Sequence, residues 1–307
     1  MSHSHHHHPH GPHAHATERR EGRLFLAFAL TLVTLFVEAI GGWWSGSLAL
    51  LADAGHMLVD ALALLFAWLG ARFARRAADE RRSYGYARVE VMVGYTNALA
   101  QFALVAWIAV EAIGRLFAPA PILSGVMLGV AIAGLFVNVF VLRLLHGHDE
   151  HDLNTAAARL HVLGDLLGSA GAVAAALVIR AFGWTWADPA ISLFVSLLIL
   201  RSAWRLLARS AHILLEGAPQ GVDETRIALA VERAGIGVLD VHHVHVWELA
   251  GGKAMATLHA RIDEGLSADA TLAALHQLLR REFGIVHATV QIESMPCEGG
   301  PCGHGHG

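Results

Sequence analysis

The chain has 307 residues, is 55% hydrophobic and 16% charged, and carries a formal net charge of −4 with a mean hydropathy of +0.48. Soluble domains are nearer a quarter charged, so this composition excludes a disordered chain and argues against an ordinary soluble enzyme. No basic cluster is interleaved with aromatics, which argues against a nucleic-acid binder.

Residues 1–17 read as a disordered cytoplasmic tail. Of the chain's 22 histidines, eight stand at His3, His5, His6, His7, His8, His10, His13 and His15. Ser, Pro, Gly and Ala interrupt them, unlike an unbroken expression tag. Next come six segments near the roughly 20 apolar residues that a membrane helix needs. Leu24–Trp44 carries the single charge Glu38. Leu48–Phe73 contains Asp53, His56 and Asp60. Val91–Val110 and Leu116–Leu142 are free of charge. Ala156–Ile179 contains Arg159, His161 and Asp165. Pro189–Leu200 is short and extends to Leu207 past Arg201 and Arg205. No removable signal peptide is expected, because the first apolar stretch is too long and lacks a cleavage site.

Arginines precede the first span (Arg19, Arg20, Arg23) and fill the connection between the second and third (Arg72, Arg75, Arg76, Arg81, Arg82, Arg88). Arg143 opens the connection between the fourth and fifth, whereas 45–47 and 118–124 carry no charge. Positive loops stay inside, which places both termini in the cytoplasm. Trp43, Trp44, Trp184 and Trp186 mark span ends, as an interfacial belt does.

Residues 18–207 thus read as a six-helix membrane domain and 208–293 as a small cytoplasmic α+β domain. Within it we expect a helix over 223–234, a strand over 238–249, a turn at Gly251–Gly252 and a second strand over 253–262. A helix over 269–283 with Ser267 as N-cap and a strand over 287–293 complete an αββαβ order, ferredoxin-like, with both helices on one face of the sheet. Residues 294–307 read as a flexible tail holding Cys297, Cys302, His304 and His306. The two cysteines make no disulfide framework, and their spacing is looser than zinc modules favour.

A charge at mid-membrane costs at least about 2.5 to 3.5 kcal/mol, so each needs a reason. The second span holds His56-Met-Leu-Val-Asp60 and the fifth holds His161-Val-Leu-Gly-Asp165. A four-residue spacing puts His and Asp on one helix face. Two such pairs brought together offer two imidazole nitrogens and two carboxylate oxygens, a set that suits tetrahedral Zn²⁺. The alternative is a buried His–Asp hydrogen bond in each helix. Metal ligands must be deprotonated and histidine titrates near neutrality, so such a site exchanges Zn²⁺ for H⁺. Four donors fill the shell and no HExxH is present, which disfavours a catalytic zinc. Asp53 reads either as a further ligand or as a polar contact between helices. Glu38, Asn97, Gln101 and Asn138 read as hydrogen bonds between helices.

The stretches SLALLADAGHMLVD (47–60), YGYARVEVM (84–92), NTAAARLHVLGDLLGS (154–169) and DPAISLFVSLLIL (188–200) resemble the second, third, fifth and sixth helices of the cation diffusion facilitators, zinc-transporting branch. The resemblance spans about residues 24–293. It implies a homodimeric Zn²⁺/H⁺ antiporter in the bilayer, not an enzyme, with a metallochaperone-like cytoplasmic domain. It places the transport site at His56, Asp60, His161 and Asp165, and His at the first of these goes with zinc preference in the family. In the cytoplasmic domain it implies bound Zn²⁺, with His242, His259, His287 and Glu293 as candidate ligands and His245 nearby. His243 and His276 read as solvated. The family's further site between helices two and three is not expected, since 72–88 has Asp79 and Glu80 but no histidine. His146, His148 and His151 with their acidic neighbours, like the N-terminal histidines, read as weak zinc traps.

The resulting expectation is a bacterial inner-membrane exporter of Zn²⁺ driven by inward H⁺. The alternatives are a broader exporter of Cd²⁺ and Co²⁺, a non-transporting membrane metal sensor, and an intramembrane metallohydrolase.

Overall fold

The computed structural model describes residues 12–74, 76, 78–144, 153–263 and 265–295. They fall into two units, one from 1–64 and 97–204, the other from 65–96 and 205–307. The N-terminal histidines up to His10, the 145–152 stretch with His146, His148 and His151, and the Cys/His tail from 296 onward lie outside the described residues.

Six long helices come first: α1 (Pro12–Ser45), α2 (Leu48–Ala74), α3 (Arg88–Phe117), α4 (Ser124–Leu144), α5 (Leu153–Phe182) and α6 (Ala187–Leu214). All six are long and apolar enough to cross a membrane. Two bounds differ from the sequence reading. Helix α1 takes in residues 12–17, which were read as tail; proline suits the first helical position, where its missing N–H costs nothing. Helix α6 continues through 208–214, which were read as soluble domain. Ser210 and Ile213, three apart, bury one face of that extension, and it stops just before Glu216, whose φ is +61°.

In the first unit, α4 packs against α1 and α5. The contact surface is rich in alanine: Ala49 and Leu50 of α2 share a cluster with Met127 and Ala131 of α4 and Ala172, Ala175 and Ala176 of α5. Small side chains let helices approach closely where lipid offers no hydrophobic drive. Trp43, Phe136 and Phe194 point outward and are exposed, as lipid-facing side chains are. Phe182, Trp184 and Trp186 stack in series at the turn from α5 to α6, with ring centroids 5.1 and 5.6 Å apart. The start of α2 is fixed from α6. Asp188 accepts from Ser47 Oγ (2.6 Å), Leu48 N–H (2.7 Å) and Ala49 N–H (3.2 Å).

In the second unit, α7 (Glu224–Arg233), β1 (Val238–Leu249), β2 (Lys253–Ile262), α8 (Ala268–Phe283) and β3 (His287–Glu293) follow the expected αββαβ order. The sheet order is β1-β2-β3, with β1 antiparallel and β3 parallel to β2. Asp223 caps α7 by accepting from Arg226 N–H at 2.8 Å. Ser267 caps α8, and Gly284 ends it with a left-handed φ of +67°, which glycine adopts without cost. Ile227 and Val231 of α7 and Leu275 and Leu279 of α8 share one core with Val244, Val246, Ala256 and Leu258 of the sheet. Both helices therefore cover one face. The other face is left to the histidines. In the 76–87 connection, Tyr86 Oη donates to Asp79 Oδ2 at 2.6 Å, while the N–H groups of Arg81 and Arg82 donate to Oδ1. That phenol, followed by the backbone donors, holds the Asp79 carboxyl below its usual value. The acid is thus engaged locally.

Candidate metal centres

On α2 the four-residue spacing of His56 and Asp60 brings His56 Nε2 within 3.6 Å of Asp60 Oδ2. Gln101 of α3, 4% exposed, sits between them. Its Nε2 donates to Asp60 Oδ1 at 2.7 Å, and its amide lies against His56 Nδ1, with Oε1 at 3.3 Å and Nε2 at 3.0 Å.

Asp165 of α5 is buried. His161 is placed by its backbone one turn before it on α5, and its side chain lies outside the described residues. The register of α2 against α5 can be read from their neighbours. Ser169 Oγ lies 3.4 Å from Asp53 Oδ2. A Cβ added at Gly168 would stand 2.6 Å from Asp53 Oδ1, so this close approach requires glycine. Toward its start, α2 packs Ala49 and Leu50 with Ala172, Ala175 and Ala176. The helices therefore run antiparallel. Asp53 is three residues before His56, and Gly168 is three after Asp165. Asp60 is four beyond His56, and His161 is four before Asp165. On both helices the His–Asp pair thus lies to the same side of this contact, after Asp53 on α2 and before Gly168 on α5.

Around Asp53 is a buried polar network. Ser169 Oγ also lies 3.5 Å from Glu38 Oε1, and Asn138 Nδ2 donates to Ser169 Oγ at 3.1 Å. Glu38, Asp53, Asn138 and Ser169 are each at most 2% exposed. Glu38, Gln101 and Asn138 thus make the interhelical contacts read from sequence. Asn97 Oδ1 is buried with no hydrogen-bond partner among the described residues.

In the second unit His242, His259 and Glu293 converge, with one donor atom of each within 4.8 Å of the others. His242 and His259 are register partners across β1 and β2. Glu293 Oε1 lies 2.8 Å from His259 Nδ1, and Glu293 Oε2 lies 3.2 Å from His242 Nε2. His242 Nε2 and Glu293 Oε2 are both shut from solvent, and neither makes a well-formed hydrogen bond. Two imidazoles and a carboxylate with orphaned, converging atoms fit a divalent cation such as Zn²⁺.

His287, expected with them, is not among them. It stands six residues before Glu293 on β3, roughly 20 Å away at about 3.3 Å per residue, with its ring edge-on to Tyr84. Even spacing gave it the right face of the strand but the wrong end. His245 lies on β1 beyond a register shift and faces Glu224 at 3.9 Å. His276 meets the carbonyl of Ala288 at 3.2 Å.

Two further residues neighbour this group, and sequence reasoning missed the first. Asp240 Oδ2 lies 3.1 Å from His242 Nδ1, two residues back on the same face of the strand, a spacing that was legible. His243 is exposed, as read from the sequence, and sits in a register irregularity with φ +49°. Its ring centroid is 5.4 Å from His242 and 5.1 Å from His259. Bulges re-aim side chains in this way, and alternation alone does not reveal them.

The chain matches two family models, the cation efflux transmembrane domain over residues 24–215 and the cation efflux protein cytoplasmic domain over residues 219–295. It is 45% identical to the zinc transporter ZitB of Escherichia coli K12, across 100% of this chain and 99% of that one. It is 36% identical to a cadmium, cobalt and zinc/H(+)-K(+) antiporter of Bacillus velezensis, across 96% and 92%. Among solved structures it is similar to the metal-bound C-terminal domain of the CzcD transporter, at 33% identity and TM-score 0.22, covering 24% of this chain and 99% of that one.

Proposed function

Because this chain belongs to the cation diffusion facilitator family, multi-pass membrane transporters of metal cations, we propose that it exports Zn²⁺ from the cytoplasm in exchange for H⁺. The ion binds at His56, Asp60, His161 and Asp165. What supports this reading is the close approach of α2 and α5 at Asp53 and Ser169, beyond which each apolar helix carries one His–Asp pair at four-residue spacing. The separation of His56 Nε2 and Asp60 Oδ2, 3.6 Å, is close to the roughly 3.3 Å edge of a tetrahedron with zinc–ligand bonds of about 2.0 Å. Binding Zn²⁺ expels protons from these groups. Opening the site to one membrane face and then the other moves metal out and protons in. The arginine-rich connections favour cytoplasmic termini in a bacterial inner membrane, and the working unit is a homodimer.

In the cytoplasmic domain, His242, His259 and Glu293 would hold a resident Zn²⁺. Asp240 orients His242 from its far nitrogen, as carboxylates commonly do for zinc-bound histidines. His243 is a further imidazole beside them, its ring centroid 5.1 Å from that of His259.

A second reading, a broader divalent exporter, is favoured by the name of the Bacillus relative, which carries cadmium and cobalt as well as zinc. Flux into proteoliposomes with a lumenal pH dye tests the main reading. Zinc entry with matching proton loss in wild type, and neither in Asp60→Ala and Asp165→Ala, is the expected result. Wild-type flux in both variants overturns the site, and zinc binding without flux in an active preparation favours a sensor.

A further inference from the structure

We infer that Gln101 is the positioning residue of the transport site, a reading that rests on the proposed roles of His56 and Asp60. Gln101 is buried on α3 and touches both side chains at once. For His56 to offer Nε2 to a cation, its proton must sit on Nδ1, which then needs an acceptor. Gln101 Oε1, at 3.3 Å, is that acceptor. The amide nitrogen of the same side chain donates to Asp60 Oδ1 at 2.7 Å, which leaves Asp60 Oδ2 facing His56 Nε2. One amide thus turns a nitrogen and an oxygen, 3.6 Å apart, toward a common point.

The orientation of the amide is fixed by chemistry. Turned over, its oxygen would face the Asp60 carboxylate, oxygen to oxygen. In the orientation described, its nitrogen also lies 3.0 Å from His56 Nδ1 and can donate there when the ring proton sits on Nε2. Gln101 therefore keeps His56 partnered in either tautomer, with and without metal. A carboxylate here would lose the donor to Asp60, and a lysine would lose the acceptor for the Nδ1–H. An amide has both.

Partners behind metal ligands typically set affinity by 10–100-fold. Gln101→Met keeps the side chain's length and removes both hydrogen bonds. In proteoliposomes with Zn²⁺ it should raise KM about 10–100-fold, with maximal flux falling much less and the thermal midpoint of the purified protein near wild type. An unchanged KM overturns the inference, as does a rise in KM that tracks a collapse of the midpoint. If Gln101→Met does not accumulate, Gln101→Asn carries the test. It keeps an amide one methylene shorter and should raise KM, and an unchanged KM there overturns the inference equally. Asp60→Ala, measured in parallel, separates the two readings. Normal flux in Asp60→Ala overturns the underlying site, whereas loss of flux there with an indifferent Gln101→Met overturns the positioning role alone.

Discussion

Asp188, at the head of α6, caps α2 through Leu48, whose backbone N–H lies 2.7 Å from Asp188 Oδ2. The two residues are 140 positions apart in sequence. A helix start leaves its first N–H groups without intrahelical partners, and in an apolar setting these are costly to leave unmet. Here a carboxylate from another helix supplies the acceptors that a local N-cap usually provides. Arg115 Nη1 donates to the carbonyl of Gly46 and lies 3.9 Å from Asp188 Oδ2, so the buried carboxylate also has a cation at hand.

Asp188→Ala should therefore destabilise the chain. Loss of a cap costs about 0.5 to 2 kcal/mol, and leaving Ser47 Oγ and the Leu48 N–H buried without acceptors adds about 1 to 3 kcal/mol. Asp188→Asn retains one acceptor and should fall between. Thermal unfolding of the full chain reads this directly; an unchanged midpoint in Asp188→Ala would show that the cap holds nothing.

His56→Asp keeps four donors but replaces a borderline nitrogen with a hard oxygen. Zinc flux should survive at reduced affinity while discrimination against Cd²⁺ and Co²⁺ narrows, because selectivity rests on ligand type and geometry. Competition of Cd²⁺ with zinc flux measures it, and identical inhibition curves for wild type and variant would remove the link between His56 and zinc preference.

His243→Gly separates the backbone from the imidazole. At φ +49° glycine sits without strain, so the metal-free protein should unfold at the same temperature or higher. If the ring serves the cytoplasmic cation, the gain in midpoint on adding Zn²⁺ should shrink, by about 1.4 kcal/mol for a tenfold weaker affinity. An Asp60→Ala background removes the membrane site's share. An undiminished gain would show that the exposed His243 ring serves no cation.

The Asp79–Tyr86 hydrogen bond gives a pH dependence with a defined sign. The phenol and two N–H groups favour ionised Asp79, whose carboxyl titrates below the usual 3.8. The folded connection thus gains from this bond at neutral pH and down through the ordinary carboxylate range, and loses it as pH falls through the lowered value. Tyr86→Phe should move the Asp79 titration back up. Carboxyl carbon shifts across an acid titration check it, and an unmoved curve would assign the effect to the N–H groups of Arg81 and Arg82.

Much of this arrangement was legible in the sequence because period and composition determine it. The β1, β2 and β3 bounds and the cap Ser267 follow from alternation and capping chemistry. The six apolar helices follow from length and charge. What was not legible depends on distance through space. Nothing local marks Asp188 as the cap of α2, or Gln101 as the partner of His56 rather than any other polar contact. His287 shows the limit of parity, which gives a strand face but not a position along it. The reach of α6 to Leu214 was hidden because the composition changes after Leu207, which read as the start of the soluble domain. Arg209 instead grips Glu248 with both carboxylate oxygens, at 2.6 and 2.7 Å.

If the two His–Asp pairs share one ion as proposed, the antiparallel contact of α2 and α5 makes their relative depth a property of one sliding coordinate. Each residue is about 1.5 Å of helix rise, against a zinc–ligand bond of about 2.0 Å. A slip of a single residue along either rod would carry every donor most of a bond length past its opposite number, with both helices fully intact. Gly168 against Asp53 acts as the detent of this vernier: a bulkier residue there would have to displace the buried Asp53 carboxylate from its place between the rods.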